Sequence, residues 1–194
     1  MPPNPPVILA FDTAAAHCAA AVFMGGVIVA ETIEPMKTGQ AERLMPLLEG
    51  LLTSQSLNWA DLDALAVGIG PGNFTGVRLG VAAARGLSMA LSIPAIGISA
   101  LEMRASAVGD CTVILPASRG QAYRQVFRDG HAIGPLESVE VGATPDEMAP
   151  NMARMAQLAA TRFGQTHKAP APIYLRPADA APGADAPPRI LDAG

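Results

Sequence analysis

The chain has 194 residues, of which 50% are hydrophobic but only 4% aromatic, so any core is built from Ala, Val, Leu, Ile and Met. The net charge of −4 and the pI near 5.3 argue against a protein that grips a polyanion alone, because such binding leaves a basic footprint. Any role on nucleic acid is therefore expected to come through a partner.

Targeting signals and cysteine usage predict a cytoplasmic protein that meets no membrane. Cys18 and Cys111 lie far apart in apolar surroundings and are expected to be buried thiols in a reducing compartment. No apolar stretch approaches the ~20 residues that span a bilayer. The Pro-rich residues 1–6 lack the regions of a signal peptide and are expected to be disordered.

The first 34 residues predict three strands, at residues 7–11, 18–24 and 27–33. Gly25-Gly26 between two β-prone runs is a hairpin signal.

Residues 40–53 predict an amphipathic helix because leucines recur at helical spacing. These leucines are Leu44, Leu47, Leu48, Leu51 and Leu52. Pro46 interrupts the pattern and predicts a kink or a late helix start.

A strand, a glycine loop and a helix follow. Residues 62–67 predict the strand, residues 68–80 contain five glycines, and residues 77–91 have an alanine-rich helical pattern. A loop of this kind presents backbone N–H groups to an anion or lets another backbone approach closely. Residues 95–98 predict a fifth strand, after which Ser99 is expected to cap a helix running to about residue 108.

A second unit begins at Cys111. We expect it to contain a pair of strands, a turn after the second of them, a short strand and a helix, at residues 111–115, 121–127, 128–130 (the turn), 139–141 and 151–163. The predicted domains are 7–108 and a reduced 109–178, followed by a disordered tail over 179–194.

Four blocks carry a family resemblance: ILAFDTA (8–14), GPGNFTGVRLG (70–80), RGQAY (119–123) and PIYLRP (172–177). Together and in this order they resemble the TsaB (YeaZ) family. The resemblance is dense over residues 7–107 and thin after Tyr123. The glycine block is quite specific to this family and its relatives, whereas the first block alone would be a weak signal.

The resemblance implies an α/β fold of the actin/hexokinase/Hsp70-like (ASKHA) class, with two RNase H-like halves, mixed sheets and, here, a shortened second half. It also implies a non-catalytic scaffold subunit for tRNA N6-threonylcarbamoyladenosine modification. Such a subunit docks on and activates a TsaD-like threonylcarbamoyltransferase, works with a TsaE-like ATPase, meets tRNA only indirectly and forms a homodimer when alone. The threonylcarbamoyl-adenylate donor comes from a separate TsaC-type enzyme.

Two departures from the family pattern bear on nucleotide chemistry. Asn73 stands where the family usually has Ser, which still supplies a small polar cap. Ala117 stands near the place of the second half's Asp, so no acid lies between Cys111 and Arg128. Asp12 without a partner is a poor Mg²⁺–nucleotide site; its plainer interpretation is a turn-forming residue. The candidate phosphate-facing residues are Asp12, Thr13, Gly70, Gly72 and Asn73.

Catalytic machinery is not expected in this chain. TsaD-like relatives carry two metal-binding histidines four residues apart, and Ala100 and Arg104 occupy those positions here. His17, His131 and His167 are isolated in sequence and are expected to be ordinary surface or core residues. We therefore expect no metal and no cofactor on the isolated chain, with ATP or ADP bound only at an interface of the complex.

Two helices predict a docking surface. Small residues recur at i+4 in two rows, Gly76/Gly80/Ala84 and Ala82/Gly86/Ala90, and one face must pack on the chain's own sheet. With the leucine helix they would form an apolar face too large for a monomer. The predicted docking residues are Leu44, Leu48, Leu51, Thr75, Gly76, Leu79, Gly80, Ala83, Ala84 and Leu87.

Two other classes of function remain open on the sequence. A small ASKHA-type ATPase or phosphotransferase would use Asp12-Thr13 and the glycine loop around phosphates. A metalloprotein of the M22 glycoprotease type would need a bound metal.

Overall fold

The computed structural model describes residues 5–105, 107–117, 120–142, 149–166 and 168–175. The predicted disordered tail, residues 1–4 of the Pro-rich start, Arg119 and His167 lie outside these ranges. Nine strands and three α-helices form in the described part. In chain order they are β1 Ile8–Asp12, β2 His17–Met24, β3 Val27–Pro35, α1 Gln40–Ser54, β4 Ala64–Gly68, α2 Phe74–Leu91, β5 Ala95–Ile98, β6 Asp110–Pro116, β7 Gln121–Arg128, β8 His131–Ala132, β9 Glu137–Glu140 and α3 Met152–Arg162.

The first sheet has five strands in the order β3-β2-β1-β4-β5. β1, β2 and β3 pair antiparallel, whereas β4 runs parallel to both β1 and β5. The mixed sheet is confirmed, and so is the hairpin, because Gly25 and Gly26 both take positive φ, 62° and 88°.

The two faces of this sheet carry different side chains. Leu9 and Phe11 point to the face that α1 and α2 cover. Ile8 and Ala10 point to the opposite face, where alanines of β2 and β4 let α3 approach closely. This use of alanine explains how the chain builds a core with few aromatic rings.

Helix α3 comes from the sequence assigned to the second unit, yet it packs on the first sheet. Met152, Met155 and Ala159 are fully buried against β1, β2 and β4. The predicted domain bounds stay a prediction, but the expectation that this helix serves the second unit is corrected. Its core is the core of the first sheet.

The second sheet is small and antiparallel, with β7 between β6 on one edge and β8 and β9 on the other. The predicted pair of strands and the turn at Asp129-Gly130 are confirmed, and β9 begins two residues before the predicted strand. The inner face of the sheet packs on Leu101 and Ala105.

Two helical predictions need correction. α1 runs without interruption through Pro46 from Gln40, so the late start is wrong. The helix expected from Ser99 to residue 108 is a single 3₁₀ turn, Glu102–Arg104. The backbone becomes extended at Ala105. It does so because Met103 packs in the core of the first sheet, whereas Leu101 and Ala105 pack in the core of the second.

None of the helices in the described ranges is both long and apolar enough to cross a membrane. Cys18 is buried and Cys111 half-buried, and no disulfide joins them.

Candidate functional site

The glycine loop wraps around the turn that joins β1 to β2. A Cβ added at Gly72 would lie 2.3 Å from the carbonyl oxygen of Ala14, and one added at Gly76 would lie 1.9 Å from that of Thr13. The backbone N–H of Asn73 donates to the Ala14 carbonyl at 2.6 Å. These glycines therefore serve a close approach of two backbones within the chain.

Asp12 is buried next to this contact, between His17 and Gly68. Its carboxyl group is buried, with Oδ2 2.6 Å from Nε2 of His17. Oδ1 lies against Gly68, where an added Cβ would be 1.7 Å away, and has no hydrogen-bond partner among the described residues. The carboxylate thus faces the chain's own loop and imidazole.

The other candidate phosphate-facing residues also make bonds within the chain. The Thr13 hydroxyl donates to the Gly76 carbonyl at 2.7 Å, and the Asn73 side chain accepts from the Gly76 N–H at 2.9 Å as the cap of α2. The Gly70 carbonyl accepts from the Ala100 N–H at 2.8 Å. The structure brings Asp12, Thr13, Gly70, Gly72 and Asn73 to one turn, and the predicted polar cap at Asn73 is confirmed. Their contact with a nucleotide stays a prediction.

The pairing of His17 with Asp12 was missed from the sequence. The signal was present, since the two residues flank one tight turn at the end of β1 and the start of β2. His17 is a buried, hydrogen-bonded core histidine, whereas His131 is exposed on β8.

The positions of the relatives' histidine pair hold no ligand atoms. Ala100 is buried, and its carbonyl accepts from Nη1 of Arg104 at 2.7 Å. Among the residues that the structure describes, no three His, Cys, Asp or Glu side chains cluster in a way that fits a metal ion.

Half of the predicted docking residues lie inside the chain's own core. Leu44 and Leu48 are buried under α1, and Gly76, Gly80 and Ala84 face the sheet from α2. A Cβ added at Gly80 would lie 3.0 Å from Oγ1 of Thr13. These five residues are buried, because the row Gly76/Gly80/Ala84 of α2 and the Leu44/Leu48 side of α1 both pack inward.

The other row of α2 points outward. Ala82, Gly86 and Ala90 are exposed, and no atom of the described residues lies within 4 Å of a Cβ added at Gly86. Of the predicted docking residues, Thr75 is exposed beside this row, and four are half-buried: Leu51, Leu79, Ala83 and Leu87. Thr75, Ala82, Gly86 and Ala90 thus form an exposed surface of mostly small residues on α2; we call it the α2 face.

A groove of about 750 Å³ separates the first turns of α1 and α2. Lys37, Gly39 and Glu42 line one wall, and Thr75 and Leu79 line the other. Leu79 thus borders both the groove and the α2 face.

Comparison with known proteins assigns the family. The family model of TsaD, tRNA N6-adenosine threonylcarbamoyltransferase, matches residues 28–176. An uncharacterised protein of Mycobacterium tuberculosis is 32% identical over 198 residues, which cover 90% of this chain and 94% of that protein. The tRNA threonylcarbamoyladenosine biosynthesis protein TsaB of Escherichia coli is 34% identical over 146 residues, which cover 72% of this chain and 63% of that protein.

A solved structure shares the fold. YeaZ from Pseudomonas aeruginosa superposes with a TM-score of 0.75 at 23% identity. The match covers 88% of this chain and 100% of that one. The predicted actin-like ASKHA fold is thereby confirmed. With the family model and the named relatives, it follows that the chain belongs to the TsaB (YeaZ) family, whose named members act in the biosynthesis of threonylcarbamoyladenosine in tRNA.

Proposed function

We propose that this chain is a non-catalytic scaffold subunit of tRNA N6-threonylcarbamoyladenosine modification, which docks on and activates a TsaD-like threonylcarbamoyltransferase through α1 and α2. The observation that carries the proposal is the outward row of small residues, Ala82, Gly86 and Ala90, on α2.

No close packing within the described part of the chain requires a glycine at Gly86. A glycine inside a helix costs roughly 1 kcal/mol relative to alanine, and a Cβ at Gly86 would meet nothing within 4 Å. Small residues at i+4 let a second helix approach closely. A helix pair docked on a similar pair of the partner would bury roughly 1,600 Å², the size of a stable interface.

The surroundings of Asp12 support a non-catalytic role. One oxygen of its buried carboxylate pairs with the His17 imidazole, so a Mg²⁺–nucleotide would have to displace that pairing. In this proposal, ATP or ADP binds where the chain meets the TsaD-like subunit and a TsaE-like ATPase. tRNA reaches the chain only through these partners, and the isolated chain pairs with itself.

The test is substitution on the outward row. We expect Gly86→Arg to abolish co-purification with the TsaD-like subunit of the same genome while the variant unfolds at the wild-type urea concentration. Gln157→Arg is the matched control, because it adds the same exposed cation to α3 on the other side of the sheet. Undiminished binding by Gly86→Arg would refute the proposed surface. Calorimetry of the isolated chain with Mg-ATP tests the ATPase alternative, which micromolar affinity with turnover would support.

A further inference from the structure

The exposed start of α2 carries a cation–aromatic cluster. The Arg78 guanidinium lies over the Phe74 ring, 3.7 Å from its centroid, and its Nε donates to the Tyr174 hydroxyl at 2.8 Å. The two rings are 5.5 Å apart and are themselves 45% and 48% exposed. The cluster therefore stands at the surface, and Arg78 is held on two sides.

Tyr174 reaches Arg78 from the far end of the chain. Residues 168–175 run back over the glycine loop, where the Ile173 N–H donates to the Ile69 carbonyl at 2.9 Å and Pro170 is buried beside Gly97. This anchoring fixes the guanidinium before any partner arrives. Its terminal amino groups make no hydrogen bond or ion pair to the described residues, so the fork that recognises a carboxylate stays open.

Arg85 continues the same stripe. It lies seven residues after Arg78, two helical turns or about 10.5 Å along the axis, and is also exposed without an ion pair among the described residues. α2 contains no acidic residue, although the whole chain is acidic with a net charge of −4. A purely cationic stripe therefore borders the α2 face.

We propose that Arg78 and Arg85 receive carboxylates of Asp or Glu side chains on the TsaD-like subunit and thereby set the register of docking. The inference rests on the proposed function, because it names the chemistry of that partner's surface. Arg78 is the fixed, bidentate receptor, and Tyr174 is a positioning residue that holds it. A protein surface fits better than an RNA backbone, since two cations beside a small-residue row suit a helix and RNA binding needs a broader basic patch.

The test measures the Kd of the TsaD-like subunit for variants of the full chain. Charge reversal of an interfacial pair typically weakens binding by about tenfold or more, so we expect this loss for Arg78→Glu and Arg85→Glu. Gln157→Glu is the control, because it adds a carboxylate at an exposed position of α3, on the other side of the first sheet. Arg78→Lys is expected to recover only part of the affinity, since an ammonium group lacks the planar fork.

The role of Tyr174 is tested by coupling. Tyr174→Phe should weaken binding in the wild-type background but leave the Kd unchanged in Arg78→Gln, which a general loss of structure would not do. Equal Kd values for Arg78→Glu, Arg85→Glu and wild type would overturn the inference. So would a loss of tRNA binding without a loss of subunit binding. If the wild-type chain does not bind the TsaD-like subunit, the proposed function itself fails. If wild type binds and the arginine variants bind equally well, the role of the arginines fails but the docking proposal stands.

Discussion

Gly76 is the position at which the contact between the glycine loop and the β1–β2 turn is most easily tested. Alanine there would place a Cβ 1.9 Å from the Thr13 carbonyl oxygen, whereas ordinary C···O contacts begin near ~3.3 Å. Because the obstructing atom belongs to the backbone, no side-chain rotation relieves the clash. The turn has to move away from α2.

The cost follows from what this movement breaks. The bonds from Thr13 to Gly76 and from Asn73 to Ala14 are worth about 1 kcal/mol each, and forced overpacking adds about 1–3 kcal/mol. Replacing a helical glycine returns roughly 1 kcal/mol. We therefore expect Gly76→Ala to lower the free energy of unfolding by about 2–4 kcal/mol.

Gly86→Ala is the matched control on the same helix. With nothing within 4 Å of the new Cβ, it should raise the free energy of unfolding by about 0.5–1 kcal/mol. Urea titration followed by circular dichroism measures both variants, with equal m-values as the check on a two-state comparison. If Gly76→Ala unfolds at the wild-type midpoint, the turn does not pack on α2 as described.

Two further predictions concern the cores. Met155→Ala should cost about 2–5 kcal/mol of stability, because the side chain is fully buried beneath the first sheet, whereas Gln157→Ala should cost almost nothing in the same urea titration. Burial, helped by Glu34, raises the pKa of the Cys18 thiol from 9.0 to about 11, so at pH 8 the native protein should expose only Cys111 to a thiol reagent. The neutral Cys18 thiol contributes stability that is lost as the pH rises from about 9 to about 11, which urea midpoints of wild type and Cys18→Ser measured across that range will check.

The strands of the first sheet and the helices α1 and α2 that pack on it were predicted well from the sequence, because long apolar runs and leucine spacing are strong signals. The sequence did not decide which row of small residues on α2 faces inward. Alanine and glycine are tolerated in a core and on a surface alike, so helical spacing gave two equivalent rows. The contacts of Gly76 and Gly80 with Thr13, which depend on where the turn lies, separate them.

The missing helix after Ser99 has a different cause. Its start signal is real, since Ser99 and Glu102 cap one another at 2.9 and 3.1 Å. The helix stops after one turn because Met103 belongs to one core and Leu101 to another, and a continuous helix would not serve both. The local sequence pattern does not show that neighbouring residues will pack in the cores of two different sheets.

The position of α3 governs how the protein is made. Ile8 and Ala10 leave the ribosome well before the helix that covers them, which ends at Arg162. Until that helix has been made, one face of the first sheet is therefore uncovered and open to chaperones or to aggregation. A fragment cut at the predicted boundary near residue 108 would lack α3 and keep that face exposed, so we expect it to aggregate rather than to fold as an independent module.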